Sequence, residues 1–392
     1  MRVAFYAPLN APDSPIPSGD RQLARTILQA LALCGHRVEV MSRLRTLDLE
    51  GDEARVLRLE RIGRQLAERL CRRLLLLPAP ARPQLWLTYH LYHKAPDWLG
   101  PRVADALAIP YAVVEASYAQ KQAHGPWRSG LEQVARALQR ADVVIGFKHA
   151  DEGAVRPRLG AGARYVYCAP FLDTAPFRAA AAQRDALRSR LAAAHGLDPE
   201  RPWLLTVGMM RPGPKLLCYE MLAQVLPQLA DLPWQLLVSG DGPAEAAVRD
   251  VFARSAAGGG DWLQRVRWLG CKQGDELATL YAASDVFLWP AVKEPIGMVF
   301  VEAQAAGLPI VAGDRPGVRE VALAEQTALL TPEGDVAAFA GAVRALLRDP
   351  ARRAAMGRAG MAHSQQQHDV ATAGRAFVAA LPQNGSAPRE LG

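Results

Sequence analysis

The chain has 392 residues, too many for one ordinary domain and comfortable for two of roughly 150. Half of it is hydrophobic and 22% is charged, which excludes a disordered chain and provides for buried cores. Lys plus Arg number 46 against 39 Asp plus Glu; the net +7 suits an anionic ligand or surface, but without basic runs interleaved with aromatics it does not give a nucleic-acid binder.

Residues 2–7 are predicted as a strand, an apolar run too short for the core of a signal peptide. A helix is predicted over 20–33, with Leu23, Ile27 and Leu31 on one face and Gly35 closing it in the left-handed position. Further strands are predicted over 37–41, 85–88, 111–114, 142–147 and 164–168. Such apolar runs, separated by helical patterns and not alternating in polarity, indicate a parallel sheet covered on both faces. Two prolines interrupt the rhythm between Cys168 and Phe177, and the domain boundary is placed there. Strands then resume over 203–207, 234–238, 265–269, 285–289, 308–312 and 328–330, with helices from about Lys215 and Ala244 and over 275–282 and 298–306. The predicted fold class is therefore α/β, two doubly wound Rossmann-like domains in series, with ligands beyond the carboxyl ends of the strands in the cleft between them. The expected divisions are 1–172, 173–364, a helix over 365–382 crossing back to the first domain, and a disordered Pro/Gly/Ser-rich tail over 383–392.

The five cysteines, Cys34, Cys71, Cys168, Cys218 and Cys271, are odd in number and scattered, so a reducing, cytoplasmic setting without disulfides or a zinc site is expected. No apolar run approaches the ~18 residues that a bilayer span requires.

Four strand-to-helix turns carry the chemistry. In the first, Glu294 and Glu302 stand eight apart across a turn containing Gly297 and into a helix; carboxylates there suit the hydroxyls of a sugar or a ribose. Read on spacing alone, two surface glutamates near a helix start fit as well. The second, from Gly208 to Lys215, sets Arg211 and Lys215 four apart with Gly213 between, a pattern suited to a diphosphate. The third is Gly240-Asp241-Gly242-Pro243, weak by itself. The fourth, Pro15 to Asp20, holds one glycine, Gly19, far from G-x-G-x-x-G, which excludes a dinucleotide enzyme. His90 and His93 lack the spacing and carboxylate of a metal set and read as polar packing residues.

Together these turns resemble the GT-B-fold retaining glycosyltransferases of family 4, over nearly the whole chain and most specifically over 203–331. Glu294 and Glu302 are similar to that family's E-x7-E motif; Arg211 and Lys215 resemble its Arg/Lys pair over the donor diphosphate, though one residue closer together than usual. The resemblance implies donor contacts from Gly19, Gly208, Gly240, Asp241, Gly242, Gly270, Gly297, Met298, Val299 and Glu302, and a hinge at 168–177 with Asp173 in the usual aspartate position. It implies transfer from a nucleotide diphosphate sugar with retained anomeric configuration, to a saccharide, lipid-linked or small-molecule acceptor, with no cofactor and no metal. Glu115 occupies the place of a family histidine, and is expected to be exposed at the active edge and to matter for transfer. A non-catalytic nucleotide-sugar-binding protein, or a phosphorylase or epimerase on the same architecture, is the rival reading. Residues 55–77 carry seven arginines among leucines, with Leu59, Ile62, Leu66 and Leu70 on one side of a helix. That pattern fits peripheral contact with the inner face of a membrane, or a helix packed on the first sheet with a solvated arginine face.

Overall fold

The computed structural model describes residues 1–15, 18–259, 261–294 and 296–382. The chain forms two compact units, Met1–Phe171 together with the chain from Val370 onward, and Leu172–Asp369. The tail expected to be disordered lies outside the described residues, as do Ile16, Pro17 and Pro295 of the motif loops.

The first unit is built on a six-stranded parallel sheet of β1 (Arg2–Tyr6), β2 (Arg37–Ser42), β3 (Leu85–Leu91), β4 (Tyr111–Ala116), β5 (Val143–Gly146) and β6 (Arg164–Tyr167). Their spatial order is β2-β1-β3-β4-β5-β6, so the chain reverses its direction of travel across the sheet between β1 and β3. All six residues of β4 are buried, as expected of a strand covered on both faces. Helix Gly19–Leu33 is capped by Ser18, whose hydroxyl accepts the Arg21 N–H at 3.1 Å. Helix Ala373–Ala380 belongs to this unit: Gly374 lies against Ala30, and Phe377 packs its ring on Phe147 and Phe171.

The arginine-rich segment forms helix Glu53–Leu75, started by the Asp52 side chain. Its buried face is Val56, Gly63, Ala67, Leu70 and Leu74, while Leu59, Ile62 and Leu66 are half-buried. Gly63 sits on the packed face: a Cβ there would lie 2.4 Å from Cβ of Trp98, so the missing side chain brings the helix onto its neighbour. Arg55, Arg58, Arg61, Arg64, Arg69, Arg72 and Arg73 are all exposed.

The second unit repeats the plan with β7 (Trp203–Val207), β8 (Gln235–Ser239), β9 (Val266–Trp268), β10 (Val286–Trp289), β11 (Ile310–Gly313) and β12 (Ala328–Thr331), in the order β12-β11-β10-β7-β8-β9. The reversal here falls between β7 and β10. Trp203, Trp234, Trp262 and Trp289 are fully buried in its core. At the amino ends of β7 and β10 the Asp285 carboxylate accepts the Trp203 N–H at 2.7 Å and pairs with Arg184 and Arg188. The two ends of the unit meet: Leu172 donates to the His368 carbonyl at 2.9 Å, and the Asp369 carboxylate takes the Thr174 hydroxyl.

Candidate functional site

In doubly wound sheets, loops leaving the two strands at the reversal diverge and open a crevice beyond the carboxyl edge. In the second unit those loops follow β7 and β10. Tight backbone contacts join the β7 loop to the one after β8: Gly208 donates to the Ser239 carbonyl at 3.0 Å, Met210 to the Asp241 carbonyl at 2.7 Å, and Ala244 to the Met210 carbonyl at 2.8 Å. Gly240 and Gly242 make this approach possible. Their φ angles are +151° and +143°, and an added Cβ would lie 1.9 Å from the Gly208 carbonyl oxygen and 2.4 Å from that of Met210. Gly240 in turn donates to the Gly270 carbonyl at 2.9 Å, drawing the β9 loop into the same edge.

Lys215, in the first turn of helix Pro214–Val225, places Nζ 2.6 Å from Oε2 of Glu294, 79 residues away in the loop after β10. The Trp289 indole N–H donates to that same oxygen at 3.0 Å, and the ammonium lies 5.0 Å from the indole ring centre. The Glu294 side chain is only 9% exposed. A buried carboxylate needs such partners, since an unpaired one is strongly destabilised. The Trp289 ring also meets Gly208, where a Cβ would come within 2.6 Å, and stands edge-on to Tyr219, whose hydroxyl donates to the Gly208 carbonyl at 2.6 Å. Within the β10 loop Ala291 and Lys293 both hold left-handed backbone, φ +57° and +52°, a conformation that costs a non-glycine residue about 1–3 kcal/mol and persists where the surroundings enforce it.

Helix Met298–Ala305 starts from Gly297, so Met298 and Val299 lie in its first turn with their amides unclaimed by preceding helical carbonyls. Glu302 follows one turn in. It is half-buried, and its Oε2 accepts the Tyr281 hydroxyl at 2.8 Å. Burial pushes the Glu302 carboxyl up to about 7, against which the tyrosine hydrogen bond pulls weakly. Arg211 is half-buried in the β7 loop and Asp241 is exposed in the β8 loop. Among the described residues, no group of three or more His, Cys, Asp or Glu side chains is placed to hold a metal ion.

The predicted motif residues of the second unit thus collect at one sheet edge. Sequence reasoning missed Trp289, Tyr281 and Tyr219, which read as core aromatics because most of each side chain is core; the hydroxyls of the tyrosines and the indole edge and N–H of Trp289 are what reach the site.

A family model for group 1 glycosyl transferases matches residues 201–349. A GDP-mannose-dependent alpha-(1-6)-phosphatidylinositol monomannoside mannosyltransferase of Mycobacterium tuberculosis is 30% identical over 281 residues, 67% of this chain and 69% of that protein. The chain belongs to the group 1 glycosyltransferases. A D-inositol 3-phosphate glycosyltransferase of Salinispora tropica is 31% identical over 243 residues, 60% of this chain and 49% of its own length. The first curated relatives, the sulfoquinovosyl transferase of Arabidopsis thaliana among them, are matched over only 30%, 39% and 49% of their lengths. Among solved structures, sucrose-phosphate synthase from Thermosynechococcus elongatus superposes with a TM-score of 0.71 at 19% identity, covering 97% of this chain and 98% of that one. Anabaena HepE in complex with UDP and glucose superposes with a TM-score of 0.66 at 17% identity, again over 97% and 98%. This likeness gives the glycosyltransferase the GT-B architecture.

In the first unit of this glycosyltransferase Gly19 is exposed at the start of its helix. Glu115 corrects the sequence reading: it is 6% exposed and does not project from the strand end. Its backbone is left-handed, φ +55°, and its carboxylate turns toward β5, accepting the Phe147 N–H at 2.5 Å and pairing with Lys148 at 3.2 Å. Lys148 also reaches Asp151 at 2.7 Å; burial would lower its pKa, but the two carboxylates outweigh that and hold it above the ordinary value. His90 is half-buried, with Nδ1 2.8 Å from the Asp20 carboxylate.

Proposed function

We propose that this glycosyltransferase moves a hexose from a nucleoside-diphosphate sugar to a hydroxyl acceptor, retaining anomeric configuration and requiring no metal. The observation that carries the reading is the Lys215–Glu294 pair at the strand reversal of the second unit, with Glu302 on the adjoining helix and glycine backbone packed close by. A diphosphate beside Lys215 competes for its ammonium and leaves Glu294 an oxygen for sugar hydroxyls. Lys215 and Arg211 then face the charge that grows on the departing phosphate, where a preorganised donor is worth about 3 kcal/mol. Glu302 takes the ribose diol, and the Gly297, Met298 and Val299 amides hold the donor. Relatives named for GDP-mannose and a neighbour bound to UDP and glucose make both nucleotides candidates; relatives named for inositol phosphate and phosphatidylinositol make a polyol hydroxyl the natural acceptor class. Thermal shift with UDP-glucose and GDP-mannose tests this, since a donor at ~100 times its dissociation constant adds about 2.7 kcal/mol. NMR of the product then reads the anomer. No shift with either donor, an inverted product, or activity abolished by chelator would each refute the reading as stated.

The exposed arginine face of helix Glu53–Leu75 supports a second element of the proposal, contact with an anionic lipid surface. Its seven exposed arginines are joined by Leu57, Leu75 and Leu76, 55%, 44% and 87% exposed. No helix among the described residues is long and apolar enough to cross a membrane, and the contact proposed is a peripheral one. The protein should sediment with phosphatidylserine-containing vesicles at low salt and be released as ionic strength rises. Protein left in the supernatant at low salt refutes the contact.

A further inference from the structure

The loop after β10 carries Glu294 to Lys215, and its own sequence does not favour the shape it takes. The Glu294 N–H donates to the Ala291 carbonyl at 3.1 Å, closing a turn over Ala291, Val292, Lys293 and Glu294. Lys293 is the third residue of that turn and holds φ +52°. A left-handed third position ordinarily calls for glycine or asparagine, and a lysine there is strained. Ala291, fully buried at φ +57°, is a second left-handed residue in the same turn. Such a conformation persists only where the neighbours over-determine it.

The neighbours claim the amides of the turn one after another. The Val292 N–H reaches Sγ of Cys218 at 3.3 Å. Cys218 lies one turn beyond Lys215 on helix Pro214–Val225, so one helix supports both the start of the turn and the carboxylate at its end. Burial pushes the Cys218 thiol up to about 12, and it meets the loop uncharged. The Lys293 N–H donates to Oε1 of Glu333 at 3.1 Å, and Oε2 of the same carboxylate pairs with Nη1 of Arg315 at 2.6 Å. Glu333 follows β12 and Arg315 follows β11, the strands next in order from β10. These strand ends are drawn together, with the Asp314 N–H donating to the Thr331 carbonyl at 2.7 Å. Gly313, which ends β11, lies so close to the β10 loop that a Cβ would come within 2.2 Å of the Pro290 carbonyl oxygen. The Arg315 and Glu333 side chains are 34% and 33% exposed, and an isolated ion pair of that exposure contributes little to stability. This one is set apart because its carboxylate also holds the strained amide next to Glu294.

We propose that Glu333, itself oriented by Arg315, is a positioning residue for the transfer: it fixes the left-handed backbone of Lys293 and so sets where Glu294 meets Lys215 and the donor. Its action runs through the backbone amide, one residue before the carboxylate that it places. A carboxylate suits the task because one oxygen takes the amide while the other takes the guanidinium, which fixes its own orientation. Without that hold Lys293 relaxes toward φ below zero, and the turn carries Glu294 away from Lys215. Every group involved belongs to the second unit. The assignment rests on the transferase reading above.

The test uses the full chain with UDP-glucose and GDP-mannose as donors, and with water and D-inositol 3-phosphate as hydroxyl acceptors. Calorimetry gives the donor Kd, donor consumption gives turnover, and 1H–15N spectra give the hydrogen exchange of the Lys293 amide. Glu333→Ala should lower turnover by roughly 10–100-fold, the scale of a misplaced contact, while raising donor Kd by less and speeding exchange at Lys293. Glu333→Gln keeps an oxygen for the amide and should retain most of the turnover. Lys293→Asn, chosen because asparagine tolerates left-handed backbone, should rescue Glu333→Ala to within about fivefold of Lys293→Asn alone. An ion pair that merely stabilised the fold would give no such rescue. Turnover of Glu333→Ala within about twofold of wild type, or an equal loss with and without Lys293→Asn, overturns the assignment while the donor measurements still stand. Exchange at Lys293 no faster in Glu333→Ala overturns it as well. A wild type that binds and consumes neither donor instead removes the transferase reading, and the assignment with it.

Discussion

Donor binding should carry a proton signature set by Glu302. Burial pushes this carboxyl up to about 7, with one hydrogen bond from Tyr281. A ribose diol donates two hydrogen bonds to a carboxylate and fewer to a carboxylic acid, so binding favours the charged form and releases a proton. The sign follows: donor affinity rises with pH through about 7 and levels off above it. With a group titrating near 7, the charged fraction grows roughly tenfold between pH 6 and 8, worth about 1.4 kcal/mol; because Glu302 is only half-buried, that figure is an upper bound. A nucleotide sugar is the right probe, since its diphosphate is a diester without an ionisation in this range. Calorimetry in two buffers of different ionisation enthalpy should show about half a proton released at pH 7. Glu302→Gln should bind more weakly and with a flat pH profile. Tyr281→Phe removes a bond to the charged form and should move the rise to higher pH. A wild-type affinity that does not change between pH 6 and 8 would show that Glu302 does not hold the diol in its charged form.

Three further outcomes are expected. Lys215→Ala should lower turnover by ~10²–10³ and donor affinity by less, because leaving-group charge is greatest in the transition state; weaker donor binding with unchanged turnover would mark Lys215 as a ground-state contact only. Gly240→Ala forces a Cβ to 1.9 Å from the Gly208 carbonyl oxygen and should cost about 1–3 kcal/mol in denaturant melts, an unchanged midpoint contradicting the close approach. Glu115→Gln removes the charge facing Lys148 in a buried setting and should destabilise by roughly 1–3 kcal/mol; a melt equal to wild type with transfer lost would restore Glu115 to the chemistry.

The strands were legible because their physics is local. A run such as Val143-Val144-Ile145 buried on both faces must be apolar without alternation, and a strand feeding a helix through glycine and proline announces its own end. Glu294, Lys215 and Gly240 were legible for a related reason, since each lies in a turn whose glycines or charges have no use in a core. What escaped was decided by partners far away in sequence. Trp289 shows a core residue's composition, and nothing near it foretells an indole N–H on Glu294. Gly63 adds no apolar side chain to its helix, and nothing near it in sequence foretells Trp98, the surface it fits. Glu115 was misplaced because a carboxylate at a strand end is ordinarily solvated, and only Lys148, beyond the next strand, reverses that expectation.

His90 shows the limit most clearly, since neither its left-handed backbone nor its contact with a carboxylate 70 residues earlier is visible in the local sequence. The same topology that hides such pairs also places them. In each sheet the chain leaves the first strand in one direction and returns to build in the other, and only at that reversal do two loops diverge. The first unit sets Asp20 and His90 across its reversal, and the second sets Lys215 and Glu294 across its own. An ion pair elsewhere on an exposed edge contributes little to stability. The Lys215–Glu294 pair is different: its carboxylate is buried, so removing Lys215 alone leaves an unpaired charge, and a loss of stability in Lys215→Ala has to be measured beside any loss of transfer.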